Sequence, residues 1–172
     1  MSRDTILSTI RRDTKAGANT SLPDLNNLTP PFAPTQADQE AFCRMLESVG
    51  GGCIHLPKDQ KPTPQILAPH FDGHTPTILR AHFAVIENGA CWITHTPEDD
   101  RTRYTLPTHI AILLDRTALV PTMHHAYERI RELGIEDFGL FLSGPSKTAD
   151  IEQALVLGAQ GAMVTKVVFN AL

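Results

Sequence analysis

Short apolar runs that alternate with helical segments constrain the fold of this chain more than any other feature. Residues 110–114, 138–142 and 163–169 are each long enough for a buried strand and too short for a buried helix. A helical pattern over residues 121–133, with proline at its start and Gly134 after its end, separates the first two runs. Strands that alternate with helices predict a layered α/β fold.

The first half of the chain shows the same alternation. Apolar residues at helical spacing predict a helix over residues 36–49, which Gly50 ends, and a short strand follows within residues 51–56. Residues 57–77 contain five prolines, so we expect no regular element there apart from a brief run at residues 66–68.

Residues 81–95 carry the pattern of a β-hairpin. Asn88-Gly89 is a favoured two-residue turn, and it would place Glu87 opposite Ala90 at the hairpin tip. Both faces of the hairpin are largely apolar, so we expect it to be covered on both sides. A hairpin beside parallel strands makes the predicted fold a Rossmann-like mixed sheet covered by helices.

Length and composition indicate one ordinary globular domain. The chain has 172 residues, of which 41% are hydrophobic and 20% charged. We expect an α/β domain over residues 36–172, preceded by an arm at residues 1–35 that carries a short amphipathic helix (residues 4–14) and a proline-rich segment. The net charge is −4 and no Lys/Arg block stands out, which argues against a nucleic-acid-binding protein.

The termini and cysteines predict a cytoplasmic protein without its own redox cluster. The first residues lack the apolar region of a signal peptide, and no apolar run approaches the roughly 20 residues of a membrane span. Cys43, Cys53 and Cys91 form no CxxC pair, whereas an iron–sulfur cluster needs about four cysteines. We therefore expect three reduced thiols in or near the core.

The stretch from residue 143 to residue 152 is the main candidate site. It follows an apolar run and precedes a segment, residues 149–157, that is typical of a short helix, so it predicts a strand-loop-helix corner. Such a corner presents unpaired backbone N–H groups and hydroxyls to an anion. The candidate ligand-binding residues are Ser143, Gly144, Ser146, Lys147 and Thr148. Asp150 and Glu152 complement a helix N-terminus themselves, so an internally satisfied loop is the alternative.

Glu87 is the candidate catalytic residue. A carboxylate held at a tight turn can act as nucleophile or base, although a hairpin tip with an incidental glutamate is the simpler interpretation. The eight histidines form no HExxH motif, and no P-loop or GxSxG motif is present, so we predict no bound metal and find no support for a serine hydrolase.

Four stretches of the chain resemble the LUD-domain family, in particular its lactate-utilisation protein C branch. They are residues 41–56 (AFCRMLESVGGGCIHL), 84–90 (AVIENGA), 107–121 (PTHIAILLDRTALVP) and 143–161 (SGPSKTADIEQALVLGAQG). The last is the most specific, because it matches the pattern SGPS-x-T-x-DIE followed by a glycine-rich turn. Together the four stretches span about residues 36–170.

This resemblance implies a fold similar to the NagB/RpiA/CoA-transferase group. It also implies a non-cluster component of an iron–sulfur system that oxidises L-lactate to pyruvate, with the clusters in cysteine-rich partner proteins. A small carboxylate or phosphate ligand is possible. The site residues that transfer from the family pattern are Glu87, Gly89, Ser143, Gly144, Ser146, Thr148, Asp150 and Glu152.

Two other functions stay open at this point. The tripeptide Glu87-Asn88-Gly89 resembles the catalytic glutamate motif of class I CoA-transferases, which implies CoA transfer through a glutamyl thioester. The third alternative is a structural scaffold subunit, in which the corner at residues 143–152 packs within the fold and binds no ligand.

Overall fold

The computed structural model of the chain describes residues 3–5, 7–9, 32–94, 100–134, 138–148 and 156–170. The chain divides into two compact units, Met1–Pro31 and Phe32–Leu172. In the first unit, residues 3–5 and 7–9 are helical. The rest of the helix predicted over residues 4–14, and most of the proline-rich segment, lie outside the described residues. The predicted domain boundary before residue 36 stays a prediction.

The second unit alternates strands and helices. Its helices are α1 (Gln36–Ser48), α2 (Pro64–Leu67) and α3 (Met123–Leu133), with 3-10 helices at Ala68–Phe71 and Arg101–Tyr104. Its strands are β1 (Gly52–His55), β2 (Thr77–Arg80), β3 (Phe83–Val85), β4 (Ala90–Thr94), β5 (His109–Asp115), β6 (Leu119–Val120), β7 (Gly139–Leu142), β8 (Lys147–Thr148), β9 (Val156–Leu157) and β10 (Val164–Asn170).

The strands form two four-stranded sheets and one small ladder. The first sheet has the order β1-β10-β5-β2 and is parallel throughout. The second has the order β6-β3-β4-β7, in which β3 pairs parallel with β6 while the β3-β4 and β4-β7 pairs are antiparallel. Strands β8 and β9 pair antiparallel. The predicted α/β fold class is confirmed, with the hairpin in a second sheet beside the parallel one.

The main core lies between the two sheets. It joins Ile112 and Phe169 of the parallel sheet to Cys91 of the mixed sheet, and Phe42 and Leu46 of α1 complete it. These five side chains are at most 1% exposed. Full burial of one large apolar side chain contributes about 1.5–3 kcal/mol, so this layer is the principal stabilising element.

The outer face of each sheet is covered separately. Leu67 of α2 and Phe71 pack on the parallel sheet against Val168. Ala126 of α3 packs on the mixed sheet against Trp92. The unit is therefore layered as helix, sheet, sheet and helix, and β3-β4 is covered on both sides as predicted.

The predicted elements with long apolar patterns are confirmed, and the predictions in loop regions need three corrections. Within residues 57–77 the structure contains α2 and a 3-10 helix, and β2 begins at the end of this region. The helices and the strand are compatible with Pro64, Pro69 and Pro76 because these prolines lie at the start of an element or just before it. The hairpin pairs Val85 with Ala90, so its turn has four residues and the predicted pairing of Glu87 with Ala90 is wrong. The helix predicted over residues 149–157 is wrong at Val156–Leu157, which is a strand, and residues 149–155 lie outside the described residues.

The prediction of three reduced cysteines is also wrong. Cys43 on α1 and Cys53 on β1 form a disulfide with their Cα atoms 5.8 Å apart. Cys91 is a free thiol, and burial raises its pKa to about 12. The pairing was not visible in the sequence because it depends on how α1 packs beside β1.

None of the helices in the described part of the chain is long and apolar enough to cross a membrane.

Candidate functional site

The hairpin tip and the loop after β7 meet at the C-terminal end of α1. The Ser143 hydroxyl donates a 2.7 Å hydrogen bond to the carbonyl oxygen of Asn88. Gly89 has φ +67°, and an added Cβ would lie 3.1 Å from the Leu46 Cα. The structure thus brings together the two segments that contain the predicted site residues. Gly89 allows a close approach of backbones there and offers no side chain to a ligand.

Gly144 and Lys147 pack against the same end of α1. Gly144 has φ +69°, and an added Cβ would lie 2.8 Å from the Val49 carbonyl oxygen. The Lys147 Nζ is 3.1 Å from an ideal Cβ on Gly50. Since α1 has no basic residue in its last turn, Lys147 places a cation where the helix dipole favours one.

Ser146 and Thr148 have their backbone groups engaged within the fold. The Ser146 N–H donates to Ala162 O at 2.8 Å, and its carbonyl accepts from Gly158 N at 2.9 Å. Thr148 pairs with Val156 in the β8-β9 ladder. The corner therefore contains a short strand at Lys147–Thr148. The start of the helix predicted over residues 149–157, on which the predicted anion site depended, lies outside the described residues. Asp150 and Glu152 lie outside the described residues.

Glu87 acts as a cap for α3. Its Oε1 accepts a 2.8 Å hydrogen bond from the Met123 N–H, and Thr122, the N-cap residue, makes no capping bond with its own side chain. A carboxylate at a helix N-terminus is stabilised by the unpaired N–H groups and the dipole. The observed contact gives Glu87 a structural role at the junction of the hairpin and α3.

Among the predicted site residues that the structure describes, three have exposed polar side chains: Glu87, Ser143 and Lys147. We call them the corner surface. They present a carboxylate, a hydroxyl and an ammonium group to solvent. The backbone beneath them is held in place by the Ser143–Asn88 hydrogen bond and by the close approach of Gly144 to α1. Polar, solvent-exposed side chains of this kind are typical of the rim of a protein interface. A catalytic site usually excludes water, and this surface is open to it.

Two of the histidines, His74 and His109, lie against each other. Among the residues that the structure describes, no group of three or more His, Cys, Asp or Glu side chains could hold a metal ion. The rings of His74 and His109 stack with centroids 4.4 Å apart. Burial and the neighbouring His74 lower the pKa of His109, while Asp72 opposes this shift. The absence of a bound metal stays a prediction.

Sequence reasoning missed two cavities near the carboxyl ends of the parallel strands, where open α/β sheets commonly bind ligands. One, of about 400 Å³, lies beside His55 at the end of β1 and Arg116 just after β5. The other, of about 420 Å³, contains Arg80 at the end of β2 together with His82 and Arg103. Their residues come from separate segments, so no local motif could have revealed them.

The chain matches a known protein family over much of its length. The model of the LUD domain matches residues 71–169, which is more than half of the chain. The matched region includes the hairpin tip, the central strand β5 and the corner surface.

Two curated relatives match part of the chain. Lactate utilization protein C of Anoxybacillus flavithermus is 36% identical over 75 residues, which cover 44% of this chain and 34% of the relative. An uncharacterized protein of Neisseria meningitidis serogroup B is 32% identical over 83 residues, which cover 47% of this chain and 36% of the relative. The matches thus span about a third of the length of these relatives.

A solved structure shares the fold. The crystal structure of a DUF162 family protein from Deinococcus radiodurans matches with a TM-score of 0.57 and 11% identity, covering 80% of this chain and 99% of that one. At this identity the match supports the fold alone. The extent of the family match decides the classification: the chain belongs to the LUD domain family.

Proposed function

We propose that this chain is a non-cluster component of a lactate-utilisation system in the cytoplasm, in which cysteine-rich iron–sulfur partner proteins oxidise L-lactate to pyruvate. The observation that carries the proposal is the 36% identity over 75 residues to Lactate utilization protein C. Membership of the LUD domain family agrees with it.

The cysteines of the chain support a role without its own cluster. An iron–sulfur cluster needs about four thiolate ligands. Cys43 and Cys53 are bonded to each other, and the Cys91 thiol is fully buried in the main core. The electrons released from lactate would therefore pass to clusters held by the partner proteins.

The corner surface is the proposed contact with those partners or with a small anionic ligand. Lys147 offers the positive charge. The Ser143 hydroxyl donates its proton to the Asn88 carbonyl oxygen, so toward a partner it offers an acceptor oxygen. Charged groups at the rim of an interface set association rate and partner choice more than affinity. We therefore expect a charge reversal at Lys147 to weaken the function without unfolding the protein.

Growth on L-lactate tests the proposal. The gene is deleted in an organism with no second lactate route, and the strain is complemented with the wild-type chain, Lys147→Glu or Lys58→Glu. Lys58 is also exposed and lies in the loop after β1, so it is the matched control. We expect the deletion strain to fail on L-lactate and to grow normally on pyruvate. Wild type and Lys58→Glu restore growth, and Lys147→Glu restores less. Unimpaired growth of the deletion strain on L-lactate would overturn the proposal.

A further inference from the structure

We propose that the cavity containing Arg80, His82 and Arg103 binds an organic anion, a carboxylate or a phosphate ester, that has an apolar body. We call this cavity the cationic cavity. It lies apart from the residues of the corner surface, and the inference does not depend on the lactate-utilisation role.

The cationic cavity lies where the chain crosses from the parallel sheet to the mixed sheet. The N–H of Ala81 donates to Leu113 O at 2.9 Å in the parallel sheet, and the next N–H, that of His82, donates to Trp92 O at 2.9 Å in the mixed sheet. Arg80 at the end of β2 and Thr94 at the end of β4 therefore both line the cavity at this crossing. Its volume of about 420 Å³ lies in the usual range for small-molecule sites, about 300–1,000 Å³.

The floor of the cavity is apolar. Leu79 of the parallel sheet and Ile93 of the mixed sheet form it, whereas Ile78 and Leu113 belong to the cluster on the other face of the parallel sheet and line only its edge. Leu79 and Ile93 also belong to the main core, so the floor is held in a fixed position. A ligand that enters this space gains by burying an apolar body.

The rim of the cavity is cationic. Among the lining residues that the structure describes, Arg80, Arg103 and His82 are the ones that can carry a positive charge, and none carries a carboxylate. Arg80 and Arg103 are exposed, so their charges reach solvent at the mouth of the cavity.

The rim is also ordered by contacts within the fold. Arg103 Nη2 donates to Ile78 O at 3.3 Å, which fixes the guanidinium against the outer edge of β2. The His82 Nε2 lies 2.7 Å from the Thr94 hydroxyl. Guanidinium groups bind carboxylates and phosphates through paired N–H donors, so a partly fixed arginine beside a second one is suited to an anionic head group.

Amide NMR of the ¹⁵N-labelled full chain tests the inference with small probes. The probes are benzoate and phenyl phosphate, which distinguish a carboxylate from a phosphate source, and benzamide, which keeps the apolar body and lacks the charge. Inorganic phosphate tests the charge alone. We expect benzoate or phenyl phosphate to shift the amide signals of Arg80, His82 and Thr94, and we expect benzamide and inorganic phosphate to leave them in place.

Three variants separate charge from fold. Arg80→Met should weaken binding of the active probe at least tenfold, Arg80→Lys should retain more of it, and Arg44→Met should bind as the wild type does. Arg44 is an exposed arginine on α1 outside the cavity, so its change in net charge matches that of Arg80→Met. If Arg80→Met does not fold, the wild-type comparison of benzoate or phenyl phosphate with benzamide still decides the question. The inference is overturned if neither anion shifts these signals, if benzamide shifts them equally, or if a folded Arg80→Met binds as the wild type does.

Discussion

The hydroxyl of Ser143 donates a 2.7 Å hydrogen bond to the carbonyl oxygen of Asn88, which lies 55 positions earlier in the chain. The bond joins the loop after β7 to the tip of the β3-β4 hairpin. Two of the segments that carry the family resemblance are therefore neighbours in the fold where residues 84–90 meet the loop that begins at Ser143. Part of that sequence pattern is explained by this packing, since Gly89 and Gly144 lie where a side chain would meet α1.

Glu87 should contribute to stability through the helix cap that it provides. Removing a side-chain cap typically costs about 1 kcal/mol, and the interaction of a charge with the helix dipole contributes about 0.3–1 kcal/mol. We expect Glu87→Ala to lower the free energy of unfolding by about 1 kcal/mol and Glu87→Gln, which keeps an acceptor oxygen, to lower it less. Urea denaturation measures both.

The same residue tests the CoA-transferase alternative. Incubation with acyl-CoA followed by hydroxylamine would label Glu87 if it formed a glutamyl thioester. The capping role predicts no labelling. Labelling at Glu87 would show that the carboxylate leaves the helix terminus and reacts.

Gly144 should tolerate a side chain worse than Gly134 does. Both have positive φ, +69° and +62°. An added Cβ at Gly144 would lie 2.8 Å from the Val49 carbonyl oxygen, whereas at Gly134 it would meet no atom of the described residues within 4 Å. We expect Gly134→Ala to cost roughly 1–2 kcal/mol from the left-handed backbone alone. Gly144→Ala should cost clearly more in the same denaturation experiment. Equal losses would mean that the loop does not approach α1 this closely.

Thiol counting tests the disulfide. In the folded protein Cys91 is fully buried and burial raises its pKa to about 12, so it should not react with a thiol reagent at pH 8. We expect one reactive thiol after unfolding without reductant and three after unfolding with reductant. Three thiols in the unreduced, unfolded protein would contradict the Cys43–Cys53 bond.

The same thiol assay on protein quenched directly from cells tests the proposed location in the cytoplasm, since stable disulfides are rare in the cytosol. The location in the cytoplasm predicts that the bond is reduced in part of the cellular pool.

The disulfide should also stabilise the fold, because closure of a loop this short contributes roughly 2–3 kcal/mol in the chain-entropy account. We therefore expect reductant alone to lower the denaturation midpoint.

Acidification should destabilise the fold through His109. Its pKa is lowered in the folded protein, chiefly by burial and then by His74, so the unfolded chain binds the proton more readily. The stabilisation is fully present above the unfolded pKa of about 6.5 and is lost as the pH falls from there toward the folded pKa. His109→Gln should flatten this slope of unfolding free energy with pH. An unchanged slope in His109→Gln would exclude this residue as the source.

Long apolar patterns made much of the fold predictable. The helix at Gln36–Ser48 and the strands at His109–Asp115 and Val164–Asn170 lie where periodicity placed them, because each buries a continuous apolar face. Strand β6 has two residues and β2 follows directly after Pro76, so neither shows enough alternation to be recognised. Such short strands are determined by pairing with neighbours that are distant in sequence.

The candidate site was predictable only where its residues form local motifs. The motif at residues 143–148 and the Asn88-Gly89 turn could be found locally, and the Ser143–Asn88 bond joins them. The role of Glu87 as a cap depends on α3, 36 residues later. The cationic cavity required the arrangement of both sheets, which no local pattern contains.

The most direct test of the proposed lactate-utilisation role is purification of the tagged chain from cells grown on L-lactate. The purified fraction is examined for iron–sulfur proteins and for lactate-dependent reduction of a dye. The account predicts that cysteine-rich iron–sulfur proteins purify with the wild-type chain and with Lys58→Glu, less so with Lys147→Glu, and that dye reduction in extracts of the deletion strain returns when the chain is added. The account is contradicted if no iron–sulfur protein accompanies the chain and lactate-dependent reduction is the same with and without it.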